Sequence, residues 1–288
     1  MSNTNQKALP LSNVPKRRIW ELDFLRGISI ILMVMDHTFY NISCVFDTDW
    51  LATGNTLIIG LVNFTRYYWT MPLRTITREF VLWTLFIICG ISNSFSRSNL
   101  KRGLQLAGVA LIISAVTMYI SQYDVFSYST IKFGVIHMLA SCILIWCVVK
   151  FIFRDPFKVA AACFVIALLV FIINDQIDYL TSDLVVNNNY FAFIHETTAE
   201  SILEFSPGDY FPLIPYLGMF MIGAAIGPVI YKSRKSLLPF LDKYDWYRPV
   251  NFLGRHTLEI VVLHQPIITF FLGLISYLFV TKGNFVIF

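Results

Sequence analysis

The stretch that decides the fold is WELDFLRGISIILMVMDHTFYNI, residues 20–42. It is long and apolar enough to cross the ~30 Å hydrocarbon core of a bilayer. Yet it carries Asp23, Arg26, Asp36 and His37. Ionisable side chains in a spanning helix are costly and mark functional positions by default. The same features recur outward along the chain. Of its 288 residues, 56% are hydrophobic, 16% aromatic and 14% charged, with a mean hydropathy of +0.64. Soluble domains carry about 25% charged residues. This composition excludes a soluble globular fold, a disordered chain, a collagen and a coiled coil. The net charge of +4 orients a membrane protein rather than binding nucleic acid.

Seven segments meet the length of ~20 apolar residues for a span. They are about 22–43, 77–95, 104–121, 131–150, 157–174, 211–230 and 254–279. The expected fold class is an all-α integral membrane protein, a polytopic helical bundle of about seven transmembrane helices. The expected organisation is a basic cytoplasmic N-terminal tail (1–21), one transmembrane domain (22–280) and a short C-terminal tail (281–288). The first span reads as retained, because no cleavable leader pattern precedes it. A cytoplasmic N-terminus puts fifteen Lys and Arg in the inner segments 1–23, 96–103, 150–158 and 231–250. Four (Arg66, Arg74, Lys132 and Lys282) then lie outside. That bias predicts N-in, C-out. The segment 175–210 has no Lys or Arg, which suits the outer face, and His195 within it reads as solvated.

Residues 56–71 are apolar but short, and they carry Asn63 and Arg66. They read as an amphipathic helix at the outer interface, anchored by Tyr67, Tyr68 and Trp69. An eighth span here would invert every later loop and erase the charge bias. The five cysteines form no CxxC pair, so neither a metal site nor a disulfide framework is expected.

Arg26 and His37 are eleven residues apart. That is three turns plus about 20°, or about 16 Å along one helix face. A cation at the cytoplasmic mouth and an imidazole at depth suit an anionic carrier entering from the cytoplasm. Arg26 would hold a phosphate, and His37 would act as base or nucleophile. The plainer readings are a snorkelling Arg26 and a hydrogen-bonded interhelical His37. Asp36 points about 100° away, toward another neighbour. His137 lies six residues into the fourth span, at comparable depth. Asp209 opens the sixth span as a substrate-polarising carboxylate or as a helix N-cap. Pro215 bends that span or frees a carbonyl. Gly223 and Gly227 make a small-xxx-small packing face. Arg255 begins the last span, and His264 sits mid-span beside Pro266. Asn93 and the cluster Arg97, Lys101 and Arg102 close the second span, where they would meet a nucleotide's phosphates or simply anchor the helix.

Four stretches together carry a family resemblance. They are R-x-x-ELDFLRGISIILMVMDH from Arg18 to His37, FIICGISNSFSRSNLKRG at 86–103, FGVIHMLA around His137, and DYFPLIPYLG with FLGRHTLEIVVLHQP within 209–266. Over about 18–270 the chain resembles the heparan-α-glucosaminide N-acetyltransferase catalytic-domain family. Arg26-x10-His37 is also similar to the signature of the wider membrane acyltransferase group.

The resemblance implies a membrane-embedded acyltransferase that moves acetyl from cytoplasmic acetyl-CoA to an extracytoplasmic sugar or glycan. It implies that His37 is the catalytic histidine and Arg26 its paired arginine, with His137, Asp209 and His264 at the family's other polar motif positions; the expected catalytic set is His37, Asp36, His137, His264 and Asp209. Arg26, Asn93, Arg97, Lys101, Arg102 and Arg255 would serve the donor, and no metal is expected. Partners would be membrane lipids and a glycan acceptor, with a homo-oligomer allowed. The heparan enzyme has more spans and an extra lumenal segment, so a bacterial envelope glycan, at a bacterial plasma membrane, is the expected setting. Glu259 departs from the family's nonpolar pattern there. The rival readings are a transporter or flippase for an envelope precursor and a non-catalytic membrane scaffold.

Overall fold

The computed structural model describes residues 19–96, 98–123, 129–180, 192–195, 205–232, 235–241 and 244–280. Among them seven helices are long and apolar enough to cross a membrane, and no β-strand is present. The first, α1 (Trp20–Tyr40), runs on as a π-helical turn through Val45. Two helices follow before the next span, α2 (Asp47–Leu51) and α3 (Thr56–Thr70). The remaining spans are α4 (Pro72–Phe95), α5 (Asn99–Ile120), α6 (Val135–Phe153), α7 (Pro156–Leu180), α8 (Leu213–Ile230) and α10 (Thr257–Ile275). An eight-residue helix, α9 (Arg248–Arg255), precedes α10.

Several boundaries differ from the sequence reading, each for a local reason. The α4 helix starts at Pro72, because proline is tolerated at the first helical position, where no N–H is needed. Arg74 therefore belongs to the helix rather than to the loop before it. In α8, Ile214 is extended (φ −98°, ψ 127°), as the residue before a proline prefers, so Pro215 opens the regular helix instead of bending it. The chain breaks at His256, which leaves Arg255 on α9 rather than at the start of the last span. Arg154 takes the left-handed region (φ 53°) and ends α6, and Pro156 starts α7 two residues later. The α3 helix forms as expected. Its 15 residues span about 22 Å, short of a full crossing.

The core lies among α4, α6, α7 and α8, where Phe86, Met138, Cys142, Trp146, Cys163 and Phe220 are buried together. The backbones of α4 and α8 approach closely. A Cβ at Gly90 would run into the Phe220 carbonyl, and one at Gly223 into the Ile87 carbonyl. Gly223 and Gly227 thus form the packing face their spacing suggests, with Gly90 as reciprocal partner. The α9 helix sits as tightly on α1: Gly27 faces the Val250 carbonyl, and Gly254 faces that of Asp23. All five thiols are free, with Cys142 and Cys163 buried and Cys44 exposed.

Candidate active site

One cavity of ≈ 2980 Å³ runs the length of the bundle. Ordinary ligand pockets hold about 300–1,000 Å³. Arg26, Arg102 and Arg255 line one end, and Asp49, Tyr123 and Asp209 line the other. His37, His264 and His137 line it between.

At the first end, Arg26 donates to Asp23 Oδ1 (3.0 Å) and to Ser92 Oγ. Arg255 Nε approaches Asp23 Oδ2 at 3.5 Å. Asp23 therefore stands between two cations. The Arg102 guanidinium has no carboxylate or hydrogen-bond partner among the described residues. Cys89 and Gln105 also line this end of the wall.

The centre of the site is a histidine pair. His37 Nδ1 and His264 Nε2 are 2.6 Å apart, with the rings tilted by 31°. The hydrogen-bond network assigns the protons. His264 Nδ1 faces the carbonyls of Val261 (2.9 Å) and Ile260 (3.1 Å). Carbonyls only accept, so Nδ1 of His264 carries a proton. In the neutral ring Nε2 is then an acceptor, so the proton between the rings belongs to His37 Nδ1. His37 Nε2 is left as a free lone pair, with no hydrogen-bond partner among the described residues. Pro266, two residues on, leaves the Val262 carbonyl without its i+4 N–H; the carbonyls that hold His264 are those of Ile260 and Val261. Beside the pair, Asn41 Nδ2 donates to the His37 carbonyl and to Gln265 Oε1, and Thr269 donates to Asn41 Oδ1.

Asp36, adjacent in sequence, turns to the opposite side. Arg74 grips it with two bonds (Nε–Oδ1 2.9 Å, Nη2–Oδ2 2.8 Å), and Tyr68 donates to Oδ1 at 3.0 Å. The Arg74 guanidinium lies 3.6 Å over the centre of the Trp69 ring. Asp36 is thus a strut that ties α1 to α3 and α4, and both its oxygens are occupied. The sequence reading gave Tyr68 and Trp69 only as interfacial anchors and Arg74 only as an outer cation, none of them as a site residue. For Arg74 the sequence signal was Pro72, which permits a helix to begin early enough to include it.

His137 also lines the cavity but is built differently. The Gly134 N–H points to its Nδ1 (3.3 Å), so the ring proton sits on Nε2. Nε2 meets Ser114 Oγ at 2.9 Å, and Ser114 in turn donates to the Ile131 carbonyl (2.8 Å). Both ring nitrogens are consumed. Asp209 does not cap its own helix: its Oδ2 accepts from Val135 N–H at 2.9 Å, capping α6. Part of Asp209 still faces the cavity. Burial nevertheless pushes its carboxyl up to about 6, against the Val135 hydrogen bond and the Arg78 charge, which pull down.

Other candidates fall elsewhere. Asn93 is fully buried outside the cavity wall, and its carbonyl accepts from Asn99. Lys101 is exposed and does not line the cavity. Arg97 lies outside the described residues. His195 is buried rather than solvated, and its carbonyl accepts from Tyr210. Glu259 lines the cavity at the Arg255 end, 3.8 Å from His256; nothing in the structure explains the choice of a carboxylate there. No group of three or more His, Cys, Asp or Glu that would hold a metal occurs among the described residues.

The arrangement offers a neutral imidazole with one free nitrogen, and a cationic end about 16 Å along the same helix. A family model described as "Heparan-alpha-glucosaminide N-acetyltransferase, catalytic" matches residues 18–266. No curated protein and no solved structure matches the chain. The matched stretch opens two residues before α1 and ends two residues past His264. It so encloses both the cationic end and the histidine pair, and the chain belongs to the heparan-α-glucosaminide N-acetyltransferase catalytic-domain family.

Proposed function

We propose that this membrane protein transfers an acetyl group from acetyl-CoA, bound at the Arg26 end, to an amino or hydroxyl group of a sugar on the far side of the membrane. The observation that carries this reading is His37 Nε2, without a partner among the described residues, in a cavity that reaches Arg102, likewise without one among them. Arg26 and Arg102 hold phosphates, as guanidinium groups favour, and Arg255 adds positive charge at the mouth. A thioester supplies an activated acyl carbon with a good leaving group.

In the direct route, His37 Nε2 takes the proton from the acceptor's N–H or O–H as that atom bonds to the acyl carbon. The carbon–sulfur bond breaks, and the departing thiolate gains a proton. The product is an N- or O-acetyl sugar plus free CoA. His37 Nδ1–H donates to His264 throughout, so the positive charge acquired at Nε2 is shared with a ring anchored on two carbonyls. The same Nε2 would be the attacking atom in a route that passes the acetyl group through histidine. His264 is therefore a positioning residue in both.

The topology in this reading is N-in, C-out, from the basic segments flanking the Arg26 end. The tail 1–21 is cytoplasmic, 22–280 forms the working unit, and α3 lies at the outer interface. A bacterial plasma membrane is the setting, with an envelope glycan as acceptor. The test is release of free CoA by purified protein given acetyl-CoA and glucosamine-type acceptors, with His37→Ala alongside. Acceptor-dependent release that falls at least 100-fold in the variant is expected. Wild-type protein that binds acetyl-CoA but releases no CoA with any acceptor would overturn the reading in favour of transport.

A further inference from the structure

The cavity is walled by five spans, and four of the five seams between them are packed: α10 on α1, α1 on α4, α4 on α6, and α6 on α5. The fifth seam is different. Among the described residues α5 and α10 are not a packed pair, although both line the cavity. They are also the two least buried spans.

The chemistry of this open seam is graded along its length. At the Arg26 end its edges carry Arg102 of α5 and Glu259 of α10, with Arg255 beside them at the end of α9. At the level of the histidine pair and beyond, its edges are apolar. Ile112 (65% exposed) and Val116 come from α5, and Leu263, Phe270 (66%) and Leu274 from α10. These side chains line the cavity and are exposed at the same time, so they form its rim. The wall behind the rim continues apolar through Val109, Ile113 and Val262. A water-filled entrance for a free sugar would not be bordered this way. In a bilayer the rim faces acyl chains.

Size points the same way. The cavity holds about three times the volume of the largest ordinary ligand pocket. A sugar and a thioester arm meeting at His37 do not account for the apolar slot beside them. A second copy seated against α5 and α10 would cover the rim and leave the apolar interior unfilled, whereas a hydrocarbon chain fills both.

We infer that the seam between α5 and α10 is a lateral portal, and that the acceptor is an amphiphile: a sugar carried on a hydrocarbon anchor that enters from the bilayer. This inference rests on the transferase reading above and names its substrate class. The tail lies in the slot between Ile112 and Phe270, and the sugar reaches His37 beside Gln265 and Thr269. Selection between acceptors then comes from the tail as much as from the sugar.

The experiment compares methyl, butyl and octyl β-glucosaminides as acceptors for the full chain in lipid nanodiscs. Burying each methylene favours binding several-fold, but the tail also leaves lipid to bind. We expect kcat/KM to rise at least tenfold from methyl to octyl, mainly through KM. Equal values for methyl and octyl would overturn the portal and leave the transferase reading standing. Acetylation of none of them would overturn the transferase reading, and the acceptor inference with it.

A readout that needs no turnover keeps the two failures apart. An octyl glucosaminide with a diazirine at the tail end should label peptides within 105–120 and 258–275. Unlabelled octyl glucosaminide should compete and octanol should not. Labelling spread equally over the exposed face of α7, or competition by octanol, would show a lipid-filled cleft only and overturn the proposal. Crosslinks from α5 of one copy to α10 of another, with no tail label there, would show that a second copy sits in the seam and would also overturn it.

Discussion

The two histidine sites that share one cavity are built in opposite ways. At His137 the protein spends both ring nitrogens: a main-chain N–H holds one, and Ser114, anchored on a carbonyl, takes the other. At His37 it spends one nitrogen on His264, whose own second nitrogen is anchored on two carbonyls, and leaves one over. Burial does not separate the sites, since both rings are partly buried and both line the cavity. The difference lies in how many ring atoms have protein partners. A histidine with both atoms satisfied holds structure together, and one with an atom to spare is available for chemistry.

This contrast yields a graded set of outcomes. The largest concerns His37. Its replacement by Ala lowers transfer by ~10²–10⁴-fold with an unchanged melting temperature. A loss below tenfold in a folded variant would erase the contrast. Next, His264→Ala frees His37 to take either tautomer. Transfer falls ~10–100-fold, as for other groups that orient a histidine, and His264→Gln, which keeps an acceptor, recovers part of it.

The strut behind His37 comes third. Arg74→Gln strips Asp36 of its bidentate partner and destabilises the protein by about 3 kcal/mol or more. Arg74→Gln combined with Asp36→Asn should regain most of that, and denaturation of both variants in one detergent measures the difference. His137→Ala is the reverse of His37→Ala. It leaves Ser114 and the Gly134 N–H short of a partner, costing ~1–3 kcal/mol, while transfer falls less than tenfold.

The smallest effect is a pH dependence at Asp209, whose carboxyl is pushed up by burial from 3.8 to about 6. The folded state holds this proton more tightly than the unfolded chain, so its contribution to stability falls as pH rises from about 4 to about 6 and is lost above that. Melting curves across this window should show that decline, and Asp209→Asn should flatten it.

The spans were legible because a backbone in hydrocarbon must satisfy itself, and about 20 apolar residues cannot be disguised. The polar members of the site were legible too, since Arg26, His37 and His264 stand out against apolar neighbours. Their partners were not. His37 meets a residue 227 positions away, and no local pattern states which of two helix faces will turn inward. Asp209 was read as a substrate-polarising carboxylate or as the cap of its own helix; the helix it caps is α6, because the 206–211 strip runs along 129–134, with Gly208 N–H bonded to the Thr130 carbonyl. Asn93 looked like a ligand because it is polar inside a span, and it is instead buried in helix packing. Arg74 was missed because the apolar pattern, which starts at 77, hides a helix that Pro72 begins earlier.

The account turns on which nitrogen of His37 is free. Nitrogen NMR of ¹⁵N-histidine-labelled protein reads this directly, with His37→Gln used to assign the signal. The account predicts that His37 is neutral with its proton on Nδ1 and a bare Nε2, while His137 shows the opposite tautomer. A proton on His37 Nε2, with Nδ1 bare, would contradict it.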